Sequence, residues 1–262
     1  MAGETERERQ IETIIAALGR GYQYNPTWPH ADAATKPGAP NDLRAFFDGR
    51  MTGRGIWKWL HYFEIYERYF NRYRGAEVHI LEIGIYSGGS LDMWRHYFGP
   101  RARIYGVDIE PACRAYDNEQ TRIFIGDQAD RSFWRDFRAA VPRLDIVIDD
   151  GGHQPEQQAV TLEELLPHLQ PAGTYLCEDI HGAFNQFTCF AHGLAQKLNE
   201  WAPMPPGYGD PRKPPILVAA SAFQAAVAAV HFHPFVTVIE RNSVPVVEFS
   251  CPKHGTEWQP FL

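Results

Sequence analysis

Two hydrophobic periods alternate along the chain. Short apolar runs, EVHILEIGI (77–85), ARIYGVDI (102–109), TRIFIGD (121–127), LDIVIDD (144–150) and GTYLCEDI (173–180), predict five strands. Between them, SLDMWRHYFG (90–99), RSFWRDFRAAV (131–141) and PEQQAVTLEELLPHL (155–169) have helical spacing, the last with Pro155 at its start; residues 184–201 predict a further helix. Strands alternating with helices imply parallel βαβ units with right-handed crossovers. The continuous apolar strands fit burial on both faces.

The flanks read differently. Residues 1–24 predict an amphipathic helix with Ile11, Ile14, Ile15 and Leu18 as its stripe. Residues 25–50, with Pro26, Pro29, Pro37, Gly38 and Pro40, predict an irregular connector. Residues 56–73, IWKWLHYFEIYERYFNRY, carry aromatics at helical spacing; this predicts a helix packed on the main domain, and the sharper alternative is that Lys58, His61 or Tyr62 also covers a ligand pocket. FVTVIER (235–241) and VPVVEFS (244–250) are separated only by Asn242 and Ser243, which predicts an antiparallel pair. The Pro- and Gly-rich stretch 204–215 predicts a loop, either a lid or disorder.

The expected fold is therefore α/β: a Rossmann-like, doubly wound, mostly parallel seven-stranded sheet closed by a C-terminal antiparallel hairpin, plus N-terminal helices. Residues 1–75 form an appendage and connector, and residues 76–262 the main domain.

Composition narrows the function classes. The net charge of −7, without a basic tract, disfavours nucleic acid and anionic membranes as partners. Cys113, Cys177, Cys189 and Cys251 form no CxxC pair, so neither a disulfide framework nor a thiolate zinc site is expected. The charged start MAGETERERQ is no secretory signal, and no apolar run approaches a membrane span. A cytoplasmic protein is the expectation. The aromatics of 56–73 suggest a buried interface, hence a homo-oligomer.

Candidate chemistry gathers at the strand ends. In a doubly wound sheet, ligands bind beyond the carboxyl ends of the strands. The loop after the first strand, Glu82-Ile-Gly84-Ile-Tyr86-Ser-Gly88-Gly89-Ser90, allows close backbone approach and opens a helix at Ser90. Tyr86 stands where a GxGxxG pattern has its second glycine. Asp108 ends the second strand, placed to accept both ribose hydroxyls of an adenosine. Asp127, followed by Gln128, ends the third, placed for the adenine amino group. Each acid alone could cap a helix; the ordered set points to an adenosyl ligand.

These features resemble class I S-adenosylmethionine-dependent methyltransferases over about residues 77–250. The resemblance assigns Glu82, Gly84, Gly88 and Gly89 to the first motif, Asp108 to the ribose and Asp127 to the adenine; Tyr86, Ser90 and Gln128 complete the expected cofactor contacts.

Asp150 ends the fourth strand, and Glu178 and Asp179 end its expected neighbour. Three converging carboxylates repel one another unless a cation bridges them, and oxygen donors favour a hard ion such as Mg²⁺. His153 enters the next helix and suits a general base near neutral pH. Asp149 is expected to orient the loop or approach the cofactor's amino group. His181 is a candidate second base or substrate contact.

The combination IDDGGH plus CEDI, with GGSLDMW and GVDI before it, is similar to the Mg²⁺-dependent O-methyltransferases of antibiotic and glycan sugars, of the macrolide-sugar, rhamnosyl and cephamycin-pathway types. That resemblance implies Asp150, Glu178 and Asp179 as metal ligands, His153 as base, and a sugar hydroxyl as acceptor. A catechol-like acceptor and a non-catalytic adenosyl-binding protein are the alternatives. A nicotinamide-dependent oxidoreductase is disfavoured by the missing glycine at position 86.

Overall fold

The computed structural model describes residues 2–26, 40–201 and 216–255. The stretch 204–215 lies outside the described residues. The chain divides into two compact units, Met1–Pro40 and Asn41–Leu262. The first holds α1 (Ala2–Gln23), the helix its stripe predicts.

The second unit opens where the proline pattern predicts only connector. The Asn41 side chain accepts from the Arg44 N–H and caps α2 (Asp42–Gly49), whose Leu43 is fully buried. The helix expected from residue 56 is also corrected. Residues 50–61 run as a non-helical strap, and α3 (Tyr62–Phe70) starts only after it, ending in a 3₁₀ turn at Asn71–Tyr73. The strap's course is set by close packing: a side chain on Gly89 would overlap the Gly55 carbonyl. Helical spacing was a true signal only from Tyr62 onward.

The remaining elements are β1 (His79–Ile83), α4 (Gly89–Phe98), β2 (Arg103–Asp108), β3 (Thr121–Ile125), α5 (Arg131–Ala140), β4 (Leu144–Asp149), α6 (Pro155–Leu165), β5 (Leu169–Cys177), α7 (Gln186–Lys197), β6 (Ile216–Ala219), α8 (Ala222–Ala226), β7 (Val227–His233), β8 (Val236–Arg241) and β9 (Glu248–Cys251). Seven strands form one sheet in the order β3-β2-β1-β4-β5-β8-β7. The first five are parallel, and β8 runs antiparallel to both neighbours.

The sheet thus closes as expected, but with different partners. Residues 235–241 pair with β7, not with 244–250. Pro234 and Phe235 make the turn, with Phe235 at φ +63°. The expected second arm contains Pro245, and only its end forms β9, paired with β6 in a separate two-stranded sheet. The Ala-rich β7 gave little strand signal.

Side-chain alternation builds two cores, one on each sheet face. Ile80, Ile104, Ile146, Ile148 and Leu176 face α3 and α4, against Tyr66, Phe70 and Trp94. Leu81, Ile83, Val107, Val147 and Tyr175 face the other way, against Trp134, Phe137, Val160 and Phe187. From β1 the order departs in opposite directions, to β2 and to β4, which opens a crevice at their carboxyl ends. No helix among the described residues is long and apolar enough to cross a membrane.

Gly84 sits in that crevice at φ +80°, and a Cβ there would overlap the Asp150 carbonyl. Gly84→Ala combines a left-handed backbone penalty with overpacking, so urea denaturation is expected to show a loss of about 2–4 kcal/mol. A loss below about 0.5 kcal/mol, within the noise of such extrapolations, would contradict this packing.

Candidate active site

The crevice holds a cavity of about 990 Å³. Its walls include Gly84–Ser87 after β1, Asp108 and Ile109 after β2, Gly126–Gln128 after β3, Asp150–His153 after β4, and Glu178, Asp179 and His181 after β5. The strap residues 55–60 and Tyr62 close another side. The predicted cofactor loop therefore meets the predicted acids in one space.

The loop after β1 is shaped by its own hydrogen bonds. Tyr86, at φ +42°, donates its N–H to Asp108 Oδ2 at 3.0 Å, while Glu110 N–H reaches Oδ1 at 2.9 Å. Asp108 is thus aimed by two backbone donors and still borders the cavity. Gly88, at φ +73°, turns the chain into α4. Its α-hydrogen faces Tyr116, whose ring leaves no room for a Cβ. Asp127 is exposed at the cavity wall and accepts from Ala129 N–H at 2.8 Å.

Gln128 and Asp149 take a different part. Gln128 Oε1 accepts the Gly152 N–H at 2.6 Å, and its Nε2 donates to Asp149 Oδ1 and Thr161 Oγ1, both at 3.1 Å. Tyr175 donates to Asp149 Oδ2 at 3.0 Å. Asp149 follows the parity of Val147, so its carboxylate lies on the α6 face and does not line the cavity. Burial pushes its pKa up to about 7 against these donors.

Glu82, Asp150 and Glu178 follow the opposite parity, that of Ile80, Ile148 and Leu176. The ladder runs one residue past the strands: Asp150 N–H donates to Ile83 O at 3.0 Å and Glu178 N–H to Asp149 O at 2.8 Å. Three neighbouring strands therefore deliver a carboxylate to one face. Between them lies Lys58, its side chain only 3% exposed. Its Nζ donates to Asp150 Oδ2 and, at 2.9 Å, to Glu178 Oε2, and stands 3.7 Å from Glu82 Oε1. Tyr66 donates to Glu178 Oε1 at 2.6 Å and Ser90 to Glu82 Oε2 at 2.7 Å. Glu82 Oε1 has no hydrogen-bond partner among the described residues.

Burial alone would lower the Lys58 pKa, but Asp150, Glu178 and Glu82 override it and hold the ammonium charged. The same burial raises all three carboxyls above their usual range, because one ammonium does not offset three acids.

The outer part of the site is wetter. Asp150, His153 and Asp179 each point a ligand atom to one spot, all within 4.8 Å of one another. His153 Nε2 lies 3.7 Å from Asp179 Oδ2, and His181 Nε2 lies 3.9 Å from Oδ1. His153 and Asp179 both sit in the left-handed region, at φ +57° and +53°. Tyr62 fixes Asp179 twice: its hydroxyl donates to Oδ1 at 2.7 Å and accepts the Asp179 N–H at 3.2 Å. Of the expected metal set, Asp150 and Asp179 join His153 in this cluster, whereas both Glu178 oxygens are held by Lys58 and Tyr66.

Lys58, Tyr62 and Tyr66 are four residues apart. Sequence reasoning gave Lys58 and Tyr62 a covering role and passed over Tyr66; that spacing within an aromatic stripe was the available signal. His61 donates to Pro234 O at 3.1 Å, and His181 packs between Trp59 and Phe235.

Residues 81–180 match the model of a family described as a methyltransferase domain. Demethylmacrocin O-methyltransferase of Streptomyces fradiae is 41% identical over 136 residues, covering 49% of this chain and 34% of that protein. The 8-demethyl-8-α-L-rhamnosyl tetracenomycin-C 2′-O-methyltransferase of Streptomyces olivaceus is 32% identical over 215 residues, covering 74% of this chain and 54% of that one. Among solved structures, the MycE methyltransferase of the mycinamycin pathway, in complex with Mg, SAH and mycinamycin VI, superposes with a TM-score of 0.62 at 26% identity. That match covers 77% of this chain and 53% of the other. The chain thus spans roughly a third to a half of the length of these relatives. Residues 81–180 are a methyltransferase domain on a Rossmann-like sheet, in a chain similar to the sugar O-methyltransferases of macrolide and tetracenomycin pathways.

Proposed function

We propose that this chain transfers a methyl group from S-adenosylmethionine to a sugar hydroxyl of a natural product or glycan, with Mg²⁺ at the acceptor. The observation that carries this reading is the meeting of the Asp150–His153–Asp179 cluster with the Gly84–Asp108–Asp127 wall in one cavity. An adenosyl donor fits that wall: the positive-φ glycines at 84 and 88 let the loop turn close against Asp150 and Tyr116, and Asp108 keeps acceptor capacity beyond its two backbone donors. The oxygens of Asp150 and Asp179, with Glu178 as the further donor beneath, fit a hard divalent ion and leave the His153 imidazole beside them free to act as a base. When bound, the donor supplies an activated methyl carbon and the ion favours the deprotonated hydroxyl.

The chain's own residues do the rest. His153 takes the proton of the acceptor hydroxyl, and Asp179 stabilises the imidazolium that results. The acceptor oxygen forms its bond to the methyl carbon as the carbon–sulfur bond breaks, and S-adenosylhomocysteine leaves. Tyr62 prevents Asp179 from following the charge by holding it from two sides. Trp57 and Trp59, exposed on the strap and lining the cavity, offer ring faces to the apolar side of a sugar. The acidic balance of the chain supports a small-molecule acceptor over nucleic acid or an anionic membrane.

Transfer of radiolabelled methyl to a panel of glycosylated natural products tests the proposal. Activity is expected to vanish in EDTA and return with Mg²⁺. His153→Ala should lower kcat by about 10²–10⁴ while calorimetric affinity for S-adenosylhomocysteine is kept. Equal loss of both would place His153 in cofactor binding instead. A catechol methylated in preference to every sugar would overturn the acceptor.

Asp108→Asn tests the cofactor wall separately. It should weaken S-adenosylhomocysteine binding by about tenfold or more, the value of charge-assisted bonds to the ribose, and leave Mn²⁺ binding unchanged. An unchanged cofactor affinity would remove Asp108 from that role.

A further inference from the structure

The Lys58 ammonium holds the same carboxylates that the metal reading needs. We propose that Lys58 is a tethered counter-ion that fills the inner cation position of the site when no divalent ion is bound, and that the divalent ion displaces it from Asp150 and Glu178. The inference rests on the metal-dependent reading above and adds how this chain manages the site without the ion.

Three observations carry it. First, Glu82, Asp150 and Glu178 converge on one sheet face, and Lys58 is the cation that lies among them. Buried carboxylates without a cation are costly and otherwise take up protons, so a positive charge at this point is what keeps them ionised. Second, Asp150 belongs at once to the Lys58 pair and to the outer Asp150–His153–Asp179 cluster. An ammonium and a divalent ion sharing its carboxylate would stand about 3–4 Å apart and repel strongly in this dry setting. Third, Lys58 sits on the non-helical strap, beside Trp57, which is 91% exposed. A four-carbon side chain on such a segment can withdraw its charge into the cavity mouth without unwinding a helix.

The consequence is a cation exchange rather than simple uptake. The ion's apparent affinity is reduced by the work of removing Lys58, and the empty site stays folded because Lys58 is there.

Mn²⁺ binding followed by electron paramagnetic resonance tests this on the full chain. Lys58→Met removes the competitor, so Mn²⁺ affinity should rise by about tenfold or more. In EDTA the variant should melt lower than the native protein, and saturating Mn²⁺ should close that gap. A second measurement uses the native chain, in case the variant fails to fold. Under brief amine acetylation read by peptide mass spectrometry, Lys58 should be protected in EDTA. Saturating Mn²⁺ should make it react like an exposed lysine, with the reactivity of Lys197 unchanged.

If Mn²⁺ binds the native chain, is lost in Asp150→Asn, yet binds Lys58→Met no tighter and leaves Lys58 protected, the exchange is refuted while the metal site stands. If neither the native chain nor Lys58→Met binds Mn²⁺, the metal reading falls and the exchange with it.

Discussion

A single ammonium, Lys58 Nζ, lies among the carboxylates of Glu82, Asp150 and Glu178 at the carboxyl ends of three adjacent strands. The placement follows from the pleat. Residues two apart on a strand share a face, and Glu82, Asp150 and Glu178 all continue the face of Ile80, Ile148 and Leu176. Those positions, which pack the core a few residues earlier, become acidic where the strands end. Burying three acids together is unfavourable without positive charge, so the strap that brings Lys58 is part of the sheet's stability as well as part of the cavity wall. Tyr66 and Ser90 each satisfy one further oxygen, and the remaining Glu82 oxygen, 3.7 Å from Lys58 Nζ, has no hydrogen-bond partner among the described residues.

The neighbouring acid shows the contrast that parity makes. Asp149 adjoins Asp150 in sequence yet lies on the other face, where its side-chain donors are the neutral Gln128 and Tyr175. Burial there pushes its pKa up to about 7, against the hydrogen bonds that favour the ionised form. Through Gln128, the same network holds the Gly152 N–H and so fixes the loop that carries His153. One acid of the pair works on charge, and the other positions the loop by hydrogen bonding.

Much of this was legible in the sequence because it depends on short-range pattern. The five parallel strands, the helices between them and the acids at their ends appear where apolar runs meet Asp or Glu. What escaped depends on distant partners. The closing strand pair was assigned to 235–241 and 244–250 by proximity, whereas β8 pairs with the Ala-rich β7 and β9 leaves the main sheet. The strap was read as helix because its aromatics share the spacing of α3, and nothing local reveals that Gly55 must press against Gly89. The charge on Lys58 was visible; its three partners lie between 24 and 120 residues away along the chain, and only the fold unites them.

A site arranged this way separates two demands that a bare acidic cluster would confuse. Folding favours neutralising the carboxylates before any ion arrives; the proposed methyl transfer calls for an ion with open positions for the acceptor. A permanently bound, fully protein-ligated ion would meet the first demand and obstruct the second. With Lys58 answering the first, the carboxylates toward solvent, Asp150 and Asp179, remain at the cavity edge beside His153 and leave room for a hydroxyl. Selectivity then turns on which cations gain more from these oxygens than the tethered ammonium does. A monovalent ion offers no more charge than Lys58 and lacks its hydrogen bonds, so a small divalent ion is the class the geometry favours.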